Sequence, residues 1–184
     1  MTDQDCTDAA RARLAMAYEA CELARLARAA VPVGEHELHP DGAGRAPGSV
    51  LADAAHVLRA AHRFFEAAAA CERLGGASWQ VVGDALGVDA RTARTRFAAA
   101  ESRFREELRS PGQATGALDG TGWWRAYTAG NPLEAARDLD DWVLRHEEAD
   151  GDVDGDADGD GDRDPSPVSG GLARYLNSIS PEGS

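Results

Sequence analysis

Arginine and threonine side chains are concentrated between positions 91 and 96, where the chain reads Arg91-Thr92-Ala93-Arg94-Thr95-Arg96. An arginine guanidinium can read guanine in the major groove of DNA through two hydrogen bonds. A threonine offers a methyl group to thymine and a hydroxyl group to a phosphate. No acidic residue interrupts these positions. These residue types therefore favour contacts with base edges and phosphates.

The preceding residues predict a helix-turn-helix that would carry these side chains. Ser78 is a candidate N-cap of a short first helix, and Gly87 can adopt the left-handed conformation that turns the chain sharply. Asp89 is a candidate N-cap of a second helix, from Ala90 to about Arg109. Gly83 is predicted to lie where the two helices cross, because a larger side chain there would push them apart. The side chains predicted to face inward are Val82, Leu86, Val88, Ala93 and Phe97.

The outer surface of this unit provides two sets of candidate contact residues. The side chains predicted to contact bases are Arg91, Thr92, Arg94 and Thr95. Those predicted to contact phosphates are Ser78, Gln80 and Arg96. Backbone N–H groups at the amino ends of both helices are predicted to contact phosphates as well.

Two stretches of the sequence carry a resemblance to a known family. Ser78-Trp79-Gln80-Val81-Val82-Gly83-Asp84-Ala85-Leu86-Gly87-Val88 and Arg94-Thr95-Arg96-Phe97 resemble the SWxxIGxxLGV…RF helix-turn-helix of small actinobacterial DNA-binding proteins. The unit is also similar in outline to the fourth region of sigma factors. The resemblance implies DNA binding as a class. Many such proteins have Ser-Arg-Gln where this chain has Asp89-Ala90-Arg91, so the resemblance gives no target sequence.

Other interpretations of residues 78–97 remain open. The segment could be a helical hairpin within a bundle, or part of a non-enzymatic protein-interaction module that docks on a transcription or replication component. Three arginines on one side with no acidic residue between them favour DNA. The sequence therefore predicts sequence-specific binding of double-stranded DNA in transcription regulation. A single recognition helix makes few contacts, so a homodimer, with residues 7–31 as a candidate dimer element, or an RNA polymerase-associated partner is expected.

The remaining elements are also predicted to be helical, which makes the fold an all-α helical bundle. Residues 7–31 and 49–74 read as helices with Thr7 and Ser49 as candidate N-caps. The apolar face of the second comprises Leu51, Ala54, Val57, Leu58, Ala61, Phe65, Ala68 and Ala69. Residues 32–48 read as a loop and 110–122 as a linker. The expected domains are an N-terminal helix and loop at 1–48, the helix-turn-helix domain at 49–109, an aromatic helical segment at 110–149 and an acidic tail at 150–184.

The segment at 110–149 is expected to pack through its aromatic residues. Residues 123–127 are predicted to form a short helical turn. Asn131-Pro132-Leu133-Glu134 resembles a capping box that opens a helix running to about His146. The aromatic side chains are expected to pin these helices onto the bundle, with a partner-binding patch as the alternative; they are Trp123, Trp124, Tyr127 and Trp142.

The charge of the chain is concentrated at its carboxyl end. The formal net charge is −13, and residues 150–184 carry two arginines against nine acidic residues. Residues 150–164 hold eight aspartates, cannot bury apolar surface and are predicted to be disordered. The tail could compete with DNA for the arginines of residues 91–96. Residues 154–159 resemble the start of a calcium loop, but Pro165 stands where the bidentate glutamate is required, so specific calcium binding is not expected. A weak amphipathic turn is predicted at residues 172–179.

Little in the chain points to catalysis or to a bound cofactor. His36 and His39 lie in a loop without further nitrogen or sulfur ligands, so no metal site is expected. The three cysteines favour reduced thiols rather than a disulfide framework. No nucleophile–base arrangement or phosphate-cradling loop stands out, so no enzyme activity and no cofactor are expected. The acidic first residues differ from a signal peptide, and no run spans a bilayer, so a cytoplasmic protein without membrane contact is predicted.

Overall fold

The computed structural model describes residues 6–34, 46–109, 123–151, 168–170 and 172, and within them the chain forms six helices and no strand. The prediction of an all-α fold is confirmed. Residues 35–45 of the loop predicted at 32–48, the linker at 110–122 and most of the acidic tail, including the calcium-like loop, lie outside the described residues. The helices are α1 (Asp8–Ala29), α2 (Ser49–Leu74), α3 (Trp79–Leu86), α4 (Ala90–Arg109), α5 (Trp123–Gly130) and α6 (Pro132–Gly151).

The described residues fall into two compact units. One contains the residues from Met16 to Glu101, and the other contains those up to Ala15 and from Ser102 onward. The divisions lie within α1 and α4, whereas the sequence placed domain boundaries at loops. No helix in the described part of the chain combines the length and apolar character needed to cross a bilayer.

The 16–101 unit is built on α2, whose predicted bounds are confirmed but whose predicted cap is wrong. Gly48, with a φ of 87°, is the N-cap, and Ser49 is the first helical residue. The hydroxyl of Ser49 is buried and has no hydrogen-bond partner among the described residues. A glycine is favoured at position 48 because a left-handed backbone is strained for a residue with a Cβ.

The buried side of α2 consists of alanines rather than the larger apolar residues. Its buried residues are Ala60, Ala67, Ala69 and Ala70. Small side chains allow neighbouring helices to approach closely, so the alanine side packs inward. Leu51 and Leu58, both on the predicted apolar face, are instead exposed to solvent.

One buried charge belongs to the same unit. The side chain of Glu19 is fully buried on α1, and its carboxylate lies 3.2 Å from Nε of Arg63 on α2. Replacing Arg63 by a neutral residue would remove one partner of a fully buried carboxylate, which is destabilising because a buried charge depends on its partners. This pair fixes how α1 packs on α2, and helical periodicity alone did not predict it.

The second unit has α5 packed against α6. Trp124 and Leu139 are buried here; the side chain of Trp123 lies outside the description. Helix α6 starts at Pro132 as predicted but ends at Gly151, beyond the predicted end near His146. The reciprocal bond of the predicted capping box does not form, because the Asn131 backbone N–H donates to the Tyr127 carbonyl at 2.8 Å and Glu134 pairs with Arg137 at 2.5 Å.

A buried aspartate holds the short described segment near the carboxyl end of the chain. The carboxylate of Asp140 accepts hydrogen bonds from the backbone N–H groups of Val168 at 2.8 Å and Ser169 at 3.0 Å. Leu172, at the predicted amphipathic turn, is buried, and its N–H donates to the Val168 carbonyl. The rest of that predicted turn lies outside the described residues. Asp140 thus anchors the chain on the far side of the aspartate-rich segment.

Candidate nucleic-acid interface

A short turn joins α3 to α4, with the caps that the sequence predicted. The hydroxyl of Ser78 accepts a hydrogen bond from the N–H of Val81, which satisfies one of the free donors at the start of α3. Gly87 ends α3 with a φ of 66° and a ψ of 28°, and its N–H donates to the carbonyls of Gly83 and Asp84. The left-handed backbone of Gly87 turns the chain toward α4.

The predicted close approach at Gly83 is confirmed. A Cβ atom at this position would lie 2.6 Å from the carbonyl oxygen of Val88 and 3.1 Å from the carbonyl carbon of Asp89. The N–H of Val88 donates to the Gly83 carbonyl at 3.0 Å, so the backbones are in direct contact. Glycine allows the start of α4 to pack against α3 at this distance.

Helix α4 turns an apolar side inward, as predicted. Ala93 is fully buried and Phe97 is only 2% exposed, and Val82 of α3 is buried as well. The ring of Phe97 meets that of Phe65 on α2 edge-on, with 5.5 Å between centroids. Leu86 and Val88 are half-buried rather than fully enclosed. This packing fixes the rotation of α4 about its axis and therefore which residues it presents outward.

Arg73, which the sequence analysis did not identify, joins three helices of the unit. Its guanidinium lies 4.5 Å from the ring centroid of Trp79 on α3, and its Nε lies 3.4 Å from a carboxylate oxygen of Glu101 on α4. It also donates a hydrogen bond to the carbonyl of Ala77. The available signal was an arginine directly before Leu74-Gly75-Gly76 and six residues before a tryptophan.

The outer side of α4 exposes the side chains that the sequence proposed as base contacts. Arg91, Thr92, Arg94 and Thr95 are all exposed. Within the described ranges, neither Arg91 nor Arg94 forms an ion pair. The Thr95 hydroxyl donates to the Arg91 carbonyl at 2.9 Å, which leaves its methyl group as the freer part of the side chain. The exposed side of α4 is therefore open and positively charged.

The third arginine departs from the expected arrangement. Arg96 is exposed, but its guanidinium lies 5.2 Å from the ring centroid of Phe65 and 5.1 Å from that of Phe97. Arg96, a candidate phosphate contact, therefore has its guanidinium against two aromatic rings of its own unit. A cation over an aromatic face is attracted by the ring quadrupole, which explains its position.

The amino end of α4 is occupied by a carboxylate rather than open to an anion. Asp89 Oδ1 accepts a hydrogen bond from the N–H of Thr92 at 2.7 Å. Hydrogen bonds from the Thr92 backbone and side chain and from the Arg91 backbone lower the pKa of the Asp89 carboxyl. Asp89 therefore occupies the Thr92 and Arg91 N–H groups, and the expected phosphate contact at this helix end stays a prediction for the N–H group that remains.

The two other candidate phosphate contacts lie at the start of α3. Ser78 and Gln80 are both exposed there. Nε2 of Gln80 donates to Asp84 Oδ1 at 2.7 Å, so its amide is held against its own helix. The Ser78 hydroxyl, which acts as an acceptor in the cap, keeps its proton available for another acceptor.

Comparisons with protein-family models, with curated proteins and with solved structures each found no match for the chain. Among the described residues, no group of three or more His, Cys, Asp or Glu side chains could hold a metal ion. His36 and His39, at which no metal site is expected, lie outside them.

Proposed function

We propose that this protein binds double-stranded DNA sequence-specifically through α3 and α4, and that it regulates transcription. The observation that carries the proposal is the exposure of Arg91 and Arg94 on the outer side of α4, while Ala93 and Phe97 on its other side are buried. A helix with this division can enter the major groove without losing contact with its own fold. The similarity of residues 78–97 to a helix-turn-helix of small actinobacterial DNA-binding proteins supports the same function.

In this proposal the side chains divide between base and backbone contacts. Arg91 and Arg94 each present a planar donor pair that matches the O6 and N7 atoms of guanine. Thr92 and Thr95 contact bases beside them, with the Thr95 methyl group suited to thymine. Ser78 donates to a phosphate at the amino end of α3. Arg96 and Gln80 contact phosphates only after leaving their present positions, so we expect a smaller contribution from them.

The charge of the whole chain opposes DNA binding, so the attraction must come from the residues at the contact. The whole chain carries a formal net charge of −13, which opposes association with a polyanion. The guanidinium groups of Arg91 and Arg94 must therefore supply the attraction at the contact itself. Binding releases counterions from the DNA phosphates, and this release is less favourable at high salt. The affinity for DNA should therefore fall steeply as the salt concentration rises.

The test compares two double variants that lose the same charge. Arg91→Ala with Arg94→Ala removes the two open arginines of α4, and Arg25→Ala with Arg137→Ala removes two exposed arginines elsewhere. Duplexes selected from a random pool by the wild-type protein serve as ligands. We expect at least about 30-fold weaker binding for the α4 variant, since each bidentate contact contributes about 1–3 kcal/mol. The control should bind within about twofold of wild type, because screened exposed charges contribute little.

Circular dichroism checks that both variants remain helical. A wild-type protein that selects no duplex at low salt, or two double variants that lose affinity equally, would contradict the proposal.

A protein-interaction module is the second candidate function. The exposed apolar residues of α2, including Leu51 and Leu58, favour it, because large apolar side chains in contact with water often mark an interface. Such a module would keep its partner after the α4 substitutions. DNA binding and partner binding by the same variant therefore separate the two candidates.

A further inference from the structure

Helix α2 carries an exposed apolar stripe with the spacing of a coiled coil. Leu51, Leu58 and Phe65 follow one another at seven-residue intervals, and an alanine lies three residues after each. These are the a and d positions through which one helix packs on another. The α2 stripe comprises Leu51, Ala54, Leu58, Ala61, Phe65 and Ala68.

The exposure of this stripe decreases along the helix. Leu51 is 74% exposed, Leu58 57% and Phe65 36%. Beside Phe65 the surface opens into a groove of about 300 Å³ between α2, α3 and α4, the α2–α3 groove. Its apolar lining includes Phe65, Ala68, Val81, Val82, Leu86 and Phe97. The stripe therefore protrudes at Leu51 and borders the α2–α3 groove at Phe65.

We propose that the α2 stripe is a homodimer interface in which two copies of α2 pack antiparallel. With the two-fold axis between Leu58 and Ala61, each layer joins a large residue to an alanine. Leu51 meets Ala68 of the partner subunit, Ala54 meets Phe65 of the partner subunit, and Leu58 meets Ala61 of the partner subunit. The protruding Leu51 then enters the partner's α2–α3 groove.

A second copy fits this surface because the surface complements itself. The same helix carries both the exposed leucine and the groove that would receive it, which is what an isologous two-fold interface requires. A parallel pair would place leucine on leucine and alanine on alanine, alternating crowded layers with empty ones. Antiparallel packing also aligns the helix dipoles favourably. No charged residue belongs to the stripe itself, although the Arg96 guanidinium lies over the Phe65 ring and Glu72 lines the groove.

The size of the surface predicts a reversible dimer. Apolar patches on monomers are typically about 300–600 Å², and stable interfaces bury about 800 Å² on each partner. We expect a single helix seam with an inserted leucine to bury less area on each partner than a stable interface does. The dimer should therefore have a micromolar dissociation constant. This inference extends the proposed function, since two subunits would carry two recognition helices, but it does not require DNA.

The first test is sedimentation velocity without DNA, from low micromolar to several hundred micromolar protein. Wild type should shift from monomer to dimer. Leu58→Glu should raise the dissociation constant by more than about tenfold, because it buries an unpaired charge in the seam. Leu144→Glu, at an exposed leucine on α6, is the matched control and should dimerise like wild type. A wild type that stays monomeric throughout, or equal effects of the two variants, overturns the proposal.

The second test determines the orientation of the helices. Leu51→Glu and Ala68→Lys should each weaken self-association, and mixing the two variants should restore a heterodimer, because the new charges meet only in the antiparallel pair. In a parallel pair these positions would lie about 25 Å apart along the helix.

The Ala54→Glu and Phe65→Lys mixture tests the neighbouring layer if circular dichroism shows that Ala68→Lys does not fold. Absence of heterodimer in a folded mixture overturns the antiparallel arrangement. Because both experiments omit DNA, their failure is distinct from a failure of the proposed DNA binding.

Discussion

The Cβ atom that Gly83 lacks would lie 2.6 Å from the carbonyl oxygen of Val88, across the turn that joins α3 to α4. This distance is well inside van der Waals contact, and the obstructing atom belongs to the backbone rather than to a flexible side chain. The relative position of the two helices therefore depends on the absence of a side chain at residue 83.

Gly83→Ala should destabilise the protein even though alanine is the better helix former. The backbone must shift to admit the methyl group, at a cost of about 1–3 kcal/mol that exceeds the gain in helix propensity. Urea unfolding measures the difference. Gly130→Ala is the control, because a Cβ at Gly130 has no neighbouring atom within 4 Å. Equal stability of wild type and Gly83→Ala would show that the turn adapts without strain.

Substitutions at Asp89 can distinguish the effect of its capping hydrogen bond from the effect of its negative charge. Asp89→Asn keeps a side-chain oxygen for the Thr92 N–H, so its melting temperature should stay near that of wild type, whereas Asp89→Ala should lose a few degrees. Removing the negative charge in Asp89→Asn should strengthen DNA binding about two- to fivefold at low salt. Weaker DNA binding by Asp89→Asn would argue against a phosphate near the amino end of α4.

The same carboxyl predicts a dependence of stability on pH. Hydrogen bonds lower the pKa of Asp89 in the folded protein. The contribution of its carboxylate to the free energy of unfolding is therefore complete above the ordinary aspartate pKa. That contribution is lost as the pH falls through the lowered value. The stability difference between wild type and Asp89→Asn, measured by thermal melts across acidic pH, should therefore change in that interval and stay constant above it.

Arg96 is expected to contribute to stability as well as to binding. Its guanidinium lies over the rings of Phe65 and Phe97, so Arg96→Ala should cost about 0.5–1 kcal/mol of folding free energy. Arg94→Ala, which removes an exposed arginine two residues earlier, should leave stability unchanged and weaken DNA binding more. Chemical denaturation and duplex titration of both variants test this contrast. The opposite ranking of the variants in both assays would mean that the aromatic contact does not persist in solution.

Replacing Asp140 should loosen the segment at Val168 and Ser169 without unfolding the rest of the protein. Asp140→Ala removes the acceptor of the Val168 and Ser169 N–H groups, and hydrogen bonds to a charged group contribute about 1.5–3 kcal/mol. Hydrogen exchange at these two amides should accelerate by roughly ten- to 150-fold. Asp141→Ala, at the exposed neighbour, should leave it unchanged. Unaltered exchange in Asp140→Ala would mean that another group holds the segment.

The sequence alone determined the features that depend on neighbouring residues. The bounds of α2, the caps at Thr7, Ser78 and Asp89, and the turn at Gly87 follow from hydrogen bonds and backbone preferences that span only a few positions. Helical periodicity also showed that Ala93 and Phe97 share a side of α4 opposite Arg91 and Arg94. These predictions succeeded because the interactions are local.

Tertiary structure decided which of two apolar sides a helix buries and where long side chains come to rest. Periodicity identified Leu51 and Leu58 as apolar neighbours, but the alanine side of α2 packs inward because its small side chains permit the closest helix contact. Arg96 reaches the ring of Phe65, 31 positions earlier in the chain, and Arg73 reaches Glu101, 28 positions later. Such contacts depend on how the helices pack, and residue spacing along one helix carries no information about its neighbours.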